Sequence, residues 1–263
     1  MNDILDIFKN AELDQKKLDA LEKTPDPKYR YIIAITPRSG SSYLSDVMAN
    51  TKQFGKPGEF LNKPFIPNIL KAIPARTPDE FLRNTMRYRA SKNGVSGLKT
   101  SWFSFKNFKE SLEDKNDLKN YKYIYLTRRD LDAQAVSLYR ATSSNVFHTN
   151  IEHSSEAIKS LKSQKYDYNL IKQWYEHIAE QESGWQQYFS ENDIFPLFIA
   201  YEDIEHDILN VLKRISKYID LQEGNISLPE TSSIFKKVGD KKNIRWTHRF
   251  ALEHALEELE EVN

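Results

Sequence analysis

Tyr29-Arg30-Tyr31-Ile32-Ile33-Ala34-Ile35-Thr36-Pro37-Arg38-Ser39-Gly40-Ser41-Ser42-Tyr43-Leu44 is the stretch that decides the fold. Its first seven residues are mostly β-branched or aromatic, the composition of a buried strand. Thr36 to Ser42 are small, polar and turn-forming, and Tyr43, Leu44, Val47 and Met48 then recur at helical spacing. Strand, polar loop and helix in that order make an anion site, because the free backbone N–H groups and the dipole of a helix N-terminus attract negative charge. Arg38 adds a charged fork that grips two oxygens, and the hydroxyls of Ser39, Ser41 and Ser42 add donors around Gly40. Taken alone, the segment is also compatible with an ordinary strand-to-helix turn capped by serine.

The same order recurs downstream. Gly94 to Lys99, Tyr121 to Thr127 and Ile194 to Tyr201 read as further strands, and Tyr168 to Ser190 reads as a long helix. Strands alternating with helices predict a three-layer, P-loop-like α/β fold, a mostly parallel sheet with helices on both faces. Thr77-Pro78-Asp79-Glu80 predicts a helix start, with Thr77 as cap, Pro78 at the first helical position and Glu80 closing a capping box. Ile4, Leu5, Ile7, Phe8, Leu13, Leu18 and Leu21 predict a leading helix that ends before Pro25. Lys115 to Lys122 and Gln222 to Leu228 are the loosest connections, and neither is long enough to separate independent domains. One domain over residues 1–263, with a helical extension over residues 1–28, is the expectation.

A second charged strand end follows Tyr121 to Thr127. Arg128-Arg129-Asp130 precede an apolar helical pattern carrying Gln134 and Ser137, and Asp130 is placed to cap that helix. An arginine at the strand end and Ser137 two turns into the helix can converge on one anion, although an isolated Arg-Arg-Asp is more readily a solvated ion-pair cluster with Asp130 and Asp132. Ligands of open α/β sheets bind at the carboxyl ends of strands, so two such ends in one sheet are more specific than either alone. A nucleotide with phosphates on both its 5′ and 3′ positions needs two such sites.

The rest of the composition narrows the chemistry. The 263 residues carry 38 Lys+Arg against 38 Asp+Glu, so no global charge draws the chain to nucleic acid or anionic lipid. There is no cysteine, which removes disulfides, thiolate metal sites and thiol nucleophiles. His148, His153, His177, His206, His248 and His254 are scattered, and no metal site is predicted. No signal peptide or membrane span is legible, and a cytoplasmic location is the expectation. In the loop after Ile35 no lysine follows Gly40, so the phosphate lysine and Mg²⁺ hydroxyl of a Walker A sequence are not both present. A 5′-phosphosulfate, which has no γ-phosphate for a metal to bridge, suits such a loop better than a triphosphate.

Four ordered motifs carry a family resemblance. Ala34 to Leu44, Gly55-Lys56-Pro57-Gly58-Glu59-Phe60, Gly97-Leu98-Lys99-Thr100-Ser101-Trp102, and Leu126 to Asp130 with Gln134 to Ser137 resemble the bacterial trehalose 2-sulfotransferase-like (glycolipid sulfotransferase) family. Later echoes are Glu182-Ser183-Gly184-Trp185, Tyr201-Glu202-Asp203 and Trp246. The resemblance implies 3′-phosphoadenosine 5′-phosphosulfate (PAPS) as donor, held at its 5′ end by Arg38, Ser39, Gly40, Ser41 and Ser42. It implies that Arg128 and Ser137 hold the 3′-phosphate, with Arg129 as the alternative, and that Glu59 is the general base. It also implies a homodimer and a carbohydrate or glycolipid acceptor. Ser42 stands where the family often has threonine, and Phe147 where a tryptophan is usual.

Sulfuryl transfer proceeds through a loose in-line transition state, so positioning and charge stabilisation carry it. A carboxylate such as Glu59 activates the acceptor hydroxyl, and Lys99 and Arg38 stabilise charge on the departing oxygen. Without the motif context, Glu59 reads more readily as a helix-start acid, and Lys99 equally as an exposed strand-end lysine. Lys236 to Lys242 is a basic loop able to close over the nucleotide's 3′ side, or a solvated charge run. Trp102, Tyr139, Phe147 and Trp174 offer faces for a sugar or for adenine. The competing readings are a P-loop kinase or NTPase and a non-catalytic nucleotide-binding protein.

Overall fold

The computed structural model describes residues 4–147, 155–221, 226, 228 and 241–262. Strands β1 (Tyr29–Ile35), β2 (Val95–Ser101), β3 (Lys122–Thr127) and β4 (Leu197–Ala200) form a single all-parallel sheet in the order β2-β1-β3-β4. The central strand β1 is apolar on both sides, as a strand covered twice must be. Its Ile32 and Ala34 join one core, and its Tyr31, Ile33 and Ile35 join the other.

The first core is closed by α1 (Ile4–Lys9), α5 (Pro78–Arg89), α6 (Trp102–Glu110) and α9 (Tyr168–Glu191), through Phe8, Phe81, Phe105, Trp185 and Tyr188 among others. The second is closed by α3 (Ser41–Asn50), α10 (Tyr201–His206) and α11 (Ile208–Tyr218), through Leu44, Met48, Ile204 and Leu212. Helices on both faces of a parallel sheet make the expected three layers. A third apolar cluster lies away from the sheet, where α7 (Leu131–Ser144) and α9 meet α12 (Lys241–Val262) through Tyr139, Ile178, Trp246 and Phe250. α2 (Gln15–Glu22), α4 (Ile66–Leu70) and α8 (Ser155–Ser163) complete the described helices.

β1 has the bounds the sequence predicts, and the long helix differs by one residue. The leading helix is instead two helices, because the Asp14 side chain accepts from Lys17 N (3.1 Å) and starts a second one. Both helices pack on the body, Phe8 lying 5.6 Å from Phe81. β4 is shorter than the predicted Ile194 to Tyr201: Pro196 has no N–H to give a ladder, and Tyr201 already opens α10. Thr77 caps α5 as expected, but Glu80 does not close the box onto Thr77; its carboxylate takes Arg76 N (2.5 Å) and the Arg76 guanidinium (2.9 Å). Lys115 to Lys122 is not loose: Lys115–Asn120 is a 3₁₀ helix capped by Asp114. Of Gln222 to Leu228, only Ile226 and Leu228 fall among the described residues.

Strand order places the functional end of the sheet. From β1 the chain moves to β2 on one side, and β3 and β4 lie on the other, so β1 and β3 flank the point where the direction reverses. Open α/β sheets bind their ligands at the carboxyl ends of the strands beside such a point. Ile35 is level with Ser101 and Leu126, so the loops after β1, β2 and β3 emerge side by side.

Candidate active site

The loop between β1 and α3 turns sharply. Arg38 (φ 67°) and Gly40 (φ 81°) both lie in the left-handed region, and Gly40 caps α3 without a side chain. A Cβ at Gly40 would sit 2.6 Å from the Tyr201 ring, so position 40 needs glycine for space as well as for backbone. Ser39 is fully buried and donates its hydroxyl back to Thr36 O (2.8 Å), which shapes the loop. Ser41 and Ser42 open α3 in its first turn.

Two long-range ties hold this loop. Trp185 Nε1 donates to Ile35 O (3.1 Å) from beneath, and Gln134 Nε2 donates to Thr36 Oγ1 (2.8 Å) and Pro37 O (2.6 Å) from α7. Gln134 was visible in the sequence only as part of a motif, with no role. Its partners lie nearly a hundred positions away, and no local pattern announces such a bond.

Lys99 joins three of the predicted elements. Its ammonium lies 3.1 Å from Ser42 Oγ and 3.2 Å from Glu59 Oε1, and its own N–H donates to Gly58 O (3.0 Å). Its side chain is 9% exposed against 42% for Glu59, so a buried cation beside the loop presents a carboxylate to solvent. The segment bearing Glu59 is clamped from α5: Arg89 Nε donates to Lys56 O (3.0 Å), Lys56 N donates to Arg89 O (3.0 Å), and the Arg89 guanidinium covers the Phe60 ring at 4.9 Å. Burial pushes the Arg89 guanidinium below its ordinary value. Sequence reading missed Arg89 altogether.

Ser137 lies against the first loop. Arg38 Nε donates to Ser137 Oγ (3.2 Å), and Arg38 Nη1 donates to Phe147 O (2.6 Å). The two predicted anion sites are therefore contiguous, with Ser137 the shared member. Burial lowers the Arg38 guanidinium, and the nearby charge of Arg128 lowers it further. Arg128 stacks on Tyr201 at 4.9 Å, and its buried Nε donates to no partner. Arg129 points elsewhere, pairing with Asp203 Oδ1 (2.5 Å) rather than with Asp130 or Asp132, while its N–H donates to Glu202. Asp130 caps α7 by accepting from Ala133 N (2.8 Å). Two cations that repel each other, one with an orphaned buried donor, beside a helix N-terminus fit a polyanionic ligand such as PAPS.

The remaining sequence candidates separate. Tyr139 is a core residue, its hydroxyl bonded to Lys165 O (2.9 Å), and does not offer a face to ligand. Trp102 packs edge-on against Trp185 at 5.3 Å, in space that Gly184 leaves free, and Trp174 meets His177 at 5.4 Å. Phe147 is partly exposed next to Arg38. Of Lys236 to Lys242, residues 236–240 lie outside the described residues, and Lys242 donates to Lys162 O and Gln164 O. His148 and His153 also lie outside them, and among the described residues no group of three or more His, Asp or Glu is placed to hold a metal ion. No helix among them is long and apolar enough to cross a membrane.

Known proteins resemble this chain over most of its length. A family model described as Stf0 sulphotransferase matches residues 30–253. The trehalose 2-sulfotransferase of Mycobacterium tuberculosis (strain ATCC 35801 / TMC 107 / Erdman) is 22% identical over 268 residues, covering 85% of this chain and 94% of that protein. Among solved structures, the sulfotransferase domain of the Synechococcus PCC 7002 olefin synthase superposes with a TM-score of 0.41 at 15% identity, covering 85% of this chain and 86% of the other.

Proposed function

The chain belongs to the Stf0 sulphotransferase family, and we propose that it transfers a sulfuryl group from PAPS to a hydroxyl of a carbohydrate or glycolipid, with Glu59 as general base. The observation that carries this reading is the Glu59–Lys99–Ser42 chain: a solvent-facing carboxylate 3.2 Å from a buried ammonium that itself touches the phosphate loop at 3.1 Å. Proton acceptor and donor loop thereby share one cation.

PAPS supplies an activated sulfuryl group and a stable leaving bisphosphate. Glu59 takes the proton of the acceptor hydroxyl as its oxygen bonds to sulfur, and the electron pair of the broken sulfur–oxygen bond leaves on the bisphosphate. Lys99 and Arg38, fixed in position before reaction, neutralise that growing charge. Gly40, Ser41 and Ser42 hold the 5′ end with the α3 N-terminus, and Ser39 keeps the loop in shape. Arg128 and Ser137 hold the 3′-phosphate, and the ion pair of Arg129 with Asp203 favours Arg128 for that task. Arg38 gives up its bond to Ser137 when Ser137 turns to the nucleotide. The functional unit is a homodimer working in the cytoplasm, and the trehalose of the Mycobacterium relative is the first acceptor to try.

Calorimetric titration with 3′,5′-adenosine bisphosphate, 5′-AMP and ATP·Mg²⁺ tests the reading. Micromolar binding of the bisphosphate that is lost without the 3′-phosphate is expected. Preference for ATP·Mg²⁺, or no binding, overturns it.

A further inference from the structure

Only the second half of α9 lies along the sheet. Trp185 Nε1 bonds Ile35 O at the carboxyl end of β1, and the next turn reaches back along β3, where Tyr188 and Phe189 meet Tyr123. The helix therefore runs against the strands, and its first half projects beyond their carboxyl ends. At about 1.5 Å of rise per residue, His177 stands roughly 12 Å and Trp174 roughly 16 Å past Trp185.

Trp174, His177, Gln181 and Gly184 follow one another at spacings of three and four, so they share one stripe of the helix, and Gly184 makes room at its foot for Trp102. Gln181 and Gly184 on that stripe are buried, but Trp174 and His177 higher up are half-exposed. Facing them is the start of α6, with Phe103 5.2 Å from His177 and His177 5.4 Å from Trp174. Phe103 is half-buried yet belongs to none of the three apolar clusters. It follows Lys99 by four residues, and Lys99 holds Glu59 at 3.2 Å. A wall of rings thus starts beside the proposed base and rises away from the sheet.

That wall is poor in polar groups. Burial lowers the His177 imidazole below its ordinary value in spite of Glu180, so it is neutral at pH 7. Gln181 Oε1 accepts from no donor among the described residues, so turning that amide to a ligand breaks no bond at its oxygen. One imidazole and one amide cannot satisfy the several hydroxyls of a second sugar, and a buried hydroxyl without a partner is costly. Ring faces and edges suit methylene or aryl groups instead. We propose that Phe103, His177 and Trp174 form an aglycone subsite, and that the acceptor is a glycoside whose sugar presents its hydroxyl to Glu59 while an apolar alkyl or aryl group lies along the wall. The subsite rests on the sulfotransferase reading above and specifies its acceptor.

Steady-state sulfation by the full chain with PAPS tests it, using methyl and octyl glycosides of glucose, galactose and mannose below micelle-forming concentrations. For the sugar that is turned over, kcat/KM is expected to be about tenfold or more higher for the octyl than for the methyl glycoside. Phe103→Ala and Trp174→Ala are each expected to lower that ratio about threefold or more, and His177→Phe, which keeps a ring, to preserve it. Phe103 lies outside the apolar clusters, so its variant keeps the test usable if the Trp174 variant folds poorly, and calorimetric bisphosphate affinity reports the fold of each. Equal kcat/KM for the two aglycones, or an octyl preference that both alanine variants retain in full, overturns the subsite alone. Sulfation of none of the glycosides by a protein that binds bisphosphate overturns the carbohydrate acceptor and the subsite together. Absence of bisphosphate binding overturns the sulfotransferase reading itself.

Discussion

Each predicted site residue depends on one neighbour more than on its own chemistry. Glu59 matters because Lys99 lies 3.2 Å away and connects it to Ser42. Glu59→Gln keeps size and removes the proton acceptor, so turnover with PAPS is expected to fall by about 10² to 10⁴ while calorimetric bisphosphate affinity stays the same. Arg128 is the complementary case, with a buried Nε that donates to nothing in the free protein. Arg128→Ala is expected to weaken bisphosphate at least tenfold, about 1.4 kcal/mol, and to leave 5′-AMP affinity almost unchanged. Equal losses for the two nucleotides would move the 3′-phosphate elsewhere. Residue types and order pointed to both side chains, but the sequence held no sign that Arg38 and Ser137 touch, since 99 positions separate them. The family resemblance favoured Arg128 with Arg129 as the alternative, and no local pattern announced the ion pair of Arg129 with Asp203, 74 positions away.

Elements were legible where the pattern was local. β1, the start of α5 and the start of α7 follow from strand composition and capping side chains. What escaped was decided by contacts between elements: the end of β4 at α10, the break between α1 and α2, and the clamp of α5 on the Glu59 segment. Arg89 in that clamp is a positioning residue. Arg89→Ala is expected to lower kcat about tenfold with bisphosphate affinity unchanged, and Arg89→Lys, which keeps a cation over Phe60, to recover part of it; steady-state kinetics beside calorimetry would check both. The joint between β3, β4 and α11 has its own signature. Burial raises the Asp203 carboxyl, but hydrogen bonds from Arg129, Ala200 N and Arg214 prevail and hold it below its ordinary value. A depressed carboxyl stabilises the fold above the unfolded-state value and loses that contribution as pH falls through the folded one. Asp203→Asn is therefore expected to destabilise at pH 7 and to converge with wild type in urea melts below about pH 4.

At the scale of the whole molecule, residues 4–22 are part of the body rather than an appendage. Ile4, Phe8, Leu18 and Leu21 are buried, and burying four such side chains contributes roughly 6–12 kcal/mol. That is comparable to the entire stability of an ordinary domain, so deleting residues 1–22 is expected to abolish cooperative urea unfolding rather than trim it. The remaining consequence concerns the two guanidinium groups at the carboxyl ends of the strands. The chain as a whole is neutral, with 38 positive against 38 negative residues, yet Arg38 and Arg128 concentrate like charge in one half-buried spot. Dissolved salts therefore act on this protein at an address rather than over its whole surface. Sulfate or phosphate in a purification buffer will settle between the two arginines, raise the melting temperature and compete with the nucleotide, so that a preparation chosen for its thermal stability will be the one that looks least active.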